Sequence, residues 1–179
     1  PATVGGASQY LMTDSSGNLS WSSIAEAASV RASCKASTIG SFTMASTASV
    51  STLVLANGEG GYNGSGGFDN TNNTFISHDG FSLSENDRIL IKDGVNSNNT
   101  GISNKWNGIY TVGSLSGTTL TLTRSTDYNS SSNIKTGSYT FIENGNVNNG
   151  KSFILITSDT VNVGTSLLDF SQFSVGGIT

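Results

Sequence analysis

The side chains that could carry out chemistry are few in this sequence, and they are widely spaced. His78 is the only histidine and Cys34 the only cysteine, so neither an intrachain disulfide nor a standard zinc site is indicated. Asp79 follows His78 and serines are abundant, but no Gly-x-Ser-x-Gly element accompanies them. Because Gly80 comes next, we interpret His78 and Asp79 as turn residues rather than as members of a Ser–His–Asp triad, and we expect Cys34 to be a small, half-buried thiol.

Paired carboxylates and metal sites are not indicated either. A glycosidase needs two carboxylates about 5 to 9.5 Å apart, whereas the glutamates are dispersed, at Glu26, Glu59, Glu85 and Glu143. Two segments offer oxygen ligands but lack the closing glutamate of an EF-hand, Asp69-x-Thr71-x-Asn73 and Asp93-x-x-Asn96-x-Asn98. We favour solvated turns over a weak calcium site there. We predict a protein that is not an enzyme and uses no cofactor or metal.

Sugar recognition is the binding chemistry that the sequence supports best. A sugar site needs an aromatic face beside amide and hydroxyl groups. Trp106 lies in such a setting, flanked by Asn104, Lys105 and Asn107, and Tyr62 and Tyr128 lie in similar polar loops. We take these three aromatic residues as candidate ligand contacts. Ordinary packing, or a contact between subunits, is the alternative for each of them.

The overall composition is polar and poor in charge. Hydrophobic residues make up 35% of the 179 residues and charged residues 11%, with a net charge of −4. Disordered chains usually combine low hydrophobicity with high net charge, so we expect an ordered protein. The eight lysine and arginine residues form no basic patch, which argues against nucleic-acid binding. No apolar run approaches the roughly 20 residues of a transmembrane helix, so no membrane insertion is predicted.

Residues 1–30 differ from the remainder and are predicted to form two short strands and a helix. The strands are assigned to Gly6–Asp14 and to Leu19–Trp21, with a turn between them. Ser23 and Glu26 have the spacing of a capping box, so a short helix is predicted from Ser23 to Val30. Because so short a helix is marginal in water, it needs a partner, and further copies of the chain are the simplest one.

From residue 31 onward the signals are those of β-structure. Segments rich in Thr, Ile, Val, Leu and aromatic residues alternate with Gly, Asn, Asp and Ser clusters. The predicted strands are Ser41–Thr43, Val50–Ala56, Asp87–Lys92, Gly108–Val112, Thr118–Arg124, Gly137–Glu143, Lys151–Thr157 and Asp169–Val175. We predict an all-β fold, an antiparallel β-sandwich or barrel-like head over 31–179, with 1–30 as a shaft-end or trimerisation element. Gly58–Thr74 is interpreted as a mobile surface loop, with a binding loop as the alternative.

Two sets of residues resemble known fibre proteins. The first resembles the short Gly–Gln–Leu–Gly–Trp element of phage tail-fibre and tail-spike proteins and consists of Gly6, Gln9, Leu11, Gly17 and Trp21. The second resembles, over about residues 30–175, a β module that recurs in phage tail fibres and in surface proteins of some large DNA viruses. It comprises Val30–Ala32, His78–Asp93, Asn107–Val112, Leu122–Tyr128, Gly137, Glu143–Gly145, Gly150 and Phe170–Phe173. Phe153 stands where that family usually has tryptophan, so we expect an aromatic core position there.

The resemblance implies a viral structural protein, a tail-fibre or surface-fibre module of the virion that contributes to attachment to the host. It implies a homotrimer that contacts other virion proteins, with a host surface glycan or receptor as a further partner. A carbohydrate-binding receptor-recognition head remains an alternative, and a polysaccharide depolymerase fragment is a less favoured one.

The same motifs also have a structural interpretation. Asp79-Gly80 and Asn107-Gly108 are predicted to form tight turns. In a protein with so few charges, we expect fixed polar pairs among four residues of the second pattern, Asp87, Arg88, Arg124 and Asp127.

Overall fold

The computed structural model describes residues 9–13, 16–23, 30–42, 49, 51–60, 67–69, 71–72, 74–75, 77–94, 103–114, 118–158 and 160–174. Within these residues the chain is all-β, which confirms the predicted fold class. Two 3-10 helices, η1 (Asn104–Trp106) and η2 (Thr126–Tyr128), are the helical elements of this part of the chain. The strands are β1 (Gln9–Thr13), β2 (Leu19–Ser23), β3 (Ala36–Ser37), β4 (Thr52–Ala56), β5 (Phe68–Asp69), β6 (Thr74–Phe75), β7 (Arg88–Ile91), β8 (Gly108–Val112), β9 (Thr119–Arg124), β10 (Tyr139–Phe141), β11 (Ser152–Leu155) and β12 (Phe170–Ser174).

The largest sheet has five strands in the order β3-β7-β8-β9-β4. Strand β9 alternates as a half-buried strand does, with Leu120 and Leu122 buried and Thr119 and Thr123 exposed. Strands β7 and β8 are different, because three consecutive residues are buried in each. Burial without alternation means that both faces of these two central strands are covered.

A hydrophobic cluster lies on each face of β7 and β8. Ile89 and Ile91 of β7 and Tyr110 of β8 belong to the first cluster. Leu90 and Ile109 belong to the second cluster. Because successive side chains of a strand point to opposite faces, these two strands separate the clusters. Strands β4 and β9 add leucines to the first cluster, and the second is completed by the smaller sheet.

The second sheet is antiparallel, in the order β10-β11-β12. Phe153 and Leu155 of β11 point into the second cluster. Phe153 is therefore the aromatic core residue that the sequence predicted. Ile154, between them, lies on the opposite, outer face of the sheet.

The segment over residues 30–37 joins the two sheets. Val30 and Cys34 form parallel bridges to the second sheet, and Ala36 then pairs with Ile89 as part of β3. The β3–β7 pair is also parallel, so the expectation of a wholly antiparallel arrangement was wrong at this edge. Strand β3 was not predicted, because two small residues make no detectable pattern.

A buried carboxylate fixes the predicted Asp79-Gly80 turn to the second sheet. Both residues have positive φ (51° and 77°), as a tight hairpin turn requires, which confirms that prediction. The carboxylate of Asp79 accepts hydrogen bonds from the backbone N–H groups of Asn146 (3.1 Å), Val147 (2.8 Å) and Asn148 (2.7 Å). A Cβ at Gly145 would lie 2.2 Å from an oxygen of this carboxylate, so the close approach requires glycine there.

One predicted polar pair is also present. Arg88 donates two hydrogen bonds to the Asp127 carboxylate, both 3.0 Å long, which fixes η2 against β7. Asp87 instead accepts a hydrogen bond from the backbone N–H of Ser84 (2.8 Å) and has no part in such a pair.

The N-terminal strands form a separate antiparallel ribbon, with Leu11 opposite Trp21. The two strands were predicted, but the helix after them was wrong at both ends. Ser23 is the last residue of β2, and Val30 forms a bridge to Tyr139. Residues 24–29 lie outside the described part of the chain.

The segment Gly58–Thr74 is more ordered than its glycine content indicated. Phe68 is completely buried in the first cluster, and β5 pairs with β6. The backbone N–H of Phe68 donates to the carbonyl of Glu59, and that of Gly58 donates to the carbonyl of Phe68, both at 2.7 Å. The prediction of a mobile surface loop is thus corrected where the structure describes the segment, while residues 61–66, 70 and 73 lie outside that part.

Seven of the predicted strands correspond to β4 and β7–β12, with the predicted bounds for Gly108–Val112 and shorter bounds for the others, whereas Ser41–Thr43 is not among the strands of the described residues. Strand β4 begins at Thr52, two residues after the predicted start. Residues 43 and 50 lie outside the described part of the chain. Of the predicted strand Ser41–Thr43, Phe42 is buried in the first cluster.

The burial of Phe68 predicts a large loss of stability when its ring is removed. We expect Phe68→Ala to lower the free energy of unfolding by about 3–5 kcal/mol, because the ring fills space in the first cluster. Thr71→Ala, in the exposed turn of the same hairpin, should lower it by less than about 1 kcal/mol. Urea denaturation measures both values, and equal small losses would show that the hairpin does not pack on the core.

Candidate functional site

Trp106 lies at the end of the connection from β7 to β8, in the five-stranded sheet. It is the last residue of η1, and its ring packs, partly buried, against the first cluster. The Lys105 ammonium lies 5.0 Å from the centre of the ring. The Tyr110 hydroxyl donates to the Trp106 carbonyl (2.6 Å), and the Asn104 side chain donates to Asp169 (2.9 Å). Packing and a cation–π contact therefore account for much of the ring surface.

The side chains of Arg124 and Asn107 hold this loop through hydrogen bonds to backbone carbonyls. Arg124 is buried over the Tyr110 ring and donates to the carbonyls of Asn107 (3.0 Å) and Lys105 (3.4 Å). The side chain of Asn107 donates to the carbonyls of Lys92 (3.0 Å) and Leu168 (2.8 Å). Burial lowers the pKa of Arg124 from its ordinary value. The Arg124 guanidinium thus contacts two backbone carbonyls and an aromatic ring.

Asn107-Gly108 does not form the predicted tight turn. Gly108 is the first residue of β8, with φ of 149°. A Cβ there would lie 2.2 Å from the Arg124 guanidinium. The glycine is thus needed for the close approach of Arg124, not for a change of chain direction.

Tyr128 and Tyr62 do not join Trp106 in one site. Tyr128 is buried in the second cluster, and its hydroxyl receives a long hydrogen bond from Ser138 (3.5 Å). Burial raises the pKa of Tyr128 to about 12. A ring in this position has no face free for a sugar, so Tyr128 is a core residue in the structure. Tyr62 lies outside the described residues.

His78 and Asp79 are adjacent but do not act on each other through their side chains as a catalytic pair would. The Asp79 carboxylate is directed at the backbone of residues 146–148. The ring of His78 is buried and stacks on Phe42, with 5.8 Å between the ring centres. Burial lowers the pKa of His78 to about 4. The imidazole is therefore neutral at pH 7 and shielded from a substrate.

Cys34 is completely buried, more deeply than the sequence suggested. Its sulfur lies 3.6 Å from the Thr140 hydroxyl oxygen. Burial raises the pKa of the thiol to about 12, so the reactive thiolate is almost absent at neutral pH.

The candidate carboxylates are engaged in local contacts. Glu143 forms an ion pair with Lys35, and Glu59 accepts the backbone N–H of Ala56 (2.8 Å). Asp69 accepts hydrogen bonds from the backbone of Thr71 (2.8 Å) and the side chain of Asn72 (2.7 Å), as in an Asx turn. Within the described ranges, no three His, Cys, Asp or Glu side chains are grouped as metal ligands would be.

One concavity in the described part of the molecule was not indicated by the sequence. It has a volume of about 550 Å³ and lies between the segments 131–136 and 160–162. Its lining comprises Ser131, Ile134, Lys135, Thr136, Thr160, Val161 and Asn162. The two segments are separated by β10 and β11, so only the fold brings them together. None of these lining residues is aromatic. The aromatic residues chosen as candidate sugar contacts therefore did not point to the cavity.

Comparison of the chain with protein-family models, with curated proteins and with solved structures found no match. Among the described residues, no helix has the length and apolar character needed to cross a membrane.

The buried imidazole predicts a specific sensitivity to mild acid. The folded-state pKa of His78 is lowered from 6.5 to about 4, so the unfolded chain takes up its proton at a higher pH than the folded chain does. The stabilising contribution is present above pH 6.5 and is lost as the pH falls toward 4. We expect the free energy of unfolding to fall by roughly 1.4 kcal/mol per pH unit between about pH 6 and 5.

The matched control for this measurement is His78→Gln, which is neutral at every pH. No other histidine is present in the chain, so the variant should show a nearly flat stability over the same interval in urea denaturation. The same slope in both proteins would assign the acid sensitivity to other groups.

Proposed function

We propose that this chain is a non-enzymatic structural module of a virion tail fibre or surface fibre. In this proposal it assembles as a homotrimer, contacts other virion proteins and contributes to attachment to the host. The observation that carries the proposal is an exposed apolar surface on the second sheet, which fits assembly with further copies of the chain. The viral setting and the number of copies rest on the sequence resemblance.

The apolar surface is the outer face of the second sheet, opposite the second cluster. On β10 and β12, Phe141 is 44% exposed and Phe173 is 50% exposed, and Ile156, just beyond β11, is 56% exposed. Tyr139 connects them, because it pairs with Ile154 and its ring meets the ring of Phe173 edge-on at 5.0 Å. Monomeric soluble proteins rarely expose contiguous apolar patches of large size, and such patches mark interaction surfaces.

Val30 extends this outer face along one edge. It is 65% exposed and bridges to Tyr139, so its side chain adjoins the same surface. It is also the last residue of the proposed shaft-end element, residues 1–30. A contact between copies at this edge would therefore continue from the head toward the shaft.

The state of the reactive groups supports a structural rather than an enzymatic role. The imidazole of His78 and the thiol of Cys34 are buried, with pKa values of about 4 and about 12. The carboxylate of Asp79 is saturated with backbone hydrogen bonds. Groups in these states hold the fold together and are not available to a substrate.

The proposal predicts a stable assembly with three times the 18.4 kDa mass of the chain. Phe173→Asp should reduce the mass to that of one chain, because a charge on the outer face would have to be buried on assembly. Light scattering coupled to size-exclusion chromatography measures the mass, and circular dichroism checks that the variant is folded.

The matched control is Val147→Asp. Val147 is 52% exposed, nearly as much as Phe173, but it lies outside the outer face. The control should keep the mass of the assembly. A wild-type chain with the mass of a single copy would contradict the proposal, and so would two variants that behave alike.

A further inference from the structure

The cavity between the segments 131–136 and 160–162 has a fixed apolar floor. Ile134 and Val161 are buried and belong to the second cluster, so their position is set by the core. A volume of about 550 Å³ falls within the range of small-molecule sites. The two side chains are at most 3% exposed, so they close the base of the cavity, and its rim offers the groups that can contact a ligand.

The rim of the cavity is rich in hydroxyl and amide groups. Ser131, Thr136 and Thr160 contribute hydroxyls, and Asn162 contributes an amide. The Ser131 hydroxyl accepts the backbone N–H of Val163 (3.3 Å), which links the two walls. Within the described residues, the side-chain amide of Asn162 forms no hydrogen bond, so its donors and acceptor are directed to solvent.

Lys135 gives the rim a positive charge. It forms no ion pair within the described part of the chain, and none of the described lining residues is acidic. Its ammonium group is exposed and therefore open to a ligand. It can receive a carboxylate from a ligand.

Thr160 is a strained residue at the same rim. Its φ of 68° lies in the left-handed region, which a β-branched residue rarely adopts. Strain of this kind is retained where the surrounding structure fixes it and is common at ligand sites. Cavity, polar rim, free ammonium and strained backbone thus occur at one place.

We propose that this cavity binds a carboxylated sugar residue, a uronic or sialic acid unit. The pyranose ring lies in the cavity above Ile134 and Val161, its hydroxyls bond to the rim, and its carboxylate pairs with Lys135. The inference rests on the attachment role proposed above and names the class of host ligand. It places the sugar away from Trp106, which packs on the opposite side of the central strands in the first cluster.

Titration of the 179-residue chain with sugars, followed by amide NMR, tests this inference. The probes are the methyl glycosides of glucuronic acid and N-acetylneuraminic acid, with methyl glucoside as the neutral control. We expect saturable shifts at residues 131–136 and 160–162 with the acidic probes and weaker binding of the neutral one. Lys135→Gln should lower the affinity for the acidic sugars by about tenfold or more and leave the affinity for the neutral sugar unchanged.

Lys151→Gln is the matched control, because Lys151 carries the same charge outside the cavity. It should bind like the wild type. Equal binding by Lys135→Gln and the wild type, shifts confined to the Trp106 loop, or no saturable shift with either acidic probe would overturn the inference. Repeating the titration with an oligosaccharide that ends in the acidic unit distinguishes a terminal glycan residue from the free sugar.

The outcomes for this cavity and for the fibre proposal are separable. A trimer that binds neither acidic sugar would overturn the sugar site and leave the assembly intact. A chain that binds the acidic sugars but has the mass of one copy would support the sugar site and contradict the trimer.

Discussion

The structure depends on two central strands that are buried on both faces. Ile89 and Tyr110 point into one cluster, while Leu90 and Ile109 point into the other. Each residue of β7 or β8 therefore stabilises one of the two cores, and the backbone hydrogen bonds between the strands are shielded from water on both sides. Burial of apolar surface contributes about 25 cal/mol per Å², so strands covered twice make the largest contribution per residue. The peripheral sheet, the hairpins and the polar loops pack onto this pair.

Polar side chains fix the loops around that centre where there is too little apolar surface to do so. Asp79 bonds to three consecutive N–H groups of the turn at 146–148, and Asn107 bonds to segments on both sides of it. Arg124 bridges the backbone beneath η1. Leaving a buried polar group unsatisfied costs about 1–3 kcal/mol, so each of these side chains specifies one loop arrangement. In a chain with only 11% charged residues, these contacts run from side chains to backbone N–H and carbonyl groups.

The sequence predicted what depends on local pattern and missed what depends on distant contacts. The alternation of Leu120 and Leu122 with threonines identified β9, and Asp79-Gly80 identified its turn, because a period of two and a positive φ are local properties. Phe68 was missed since its glycine-rich neighbours look like a loop, although the ring fills the first cluster. The polar neighbours of Tyr128 suggested a binding loop, whereas η2 turns the ring inward. The cavity could not be predicted, because its walls come from segments that two strands separate.

Native-state hydrogen exchange, resolved by residue, tests most directly whether the doubly covered strands determine the stability of the whole molecule. The amides of Leu90 and Tyr110, at the middle of the β7–β8 pair, should exchange only through global unfolding, with a free energy equal to that from urea denaturation. Amides of the β5–β6 hairpin and of β12 should exchange through smaller openings. Faster exchange at Leu90 and Tyr110 than in the second sheet would contradict this conclusion and would place the stable centre elsewhere.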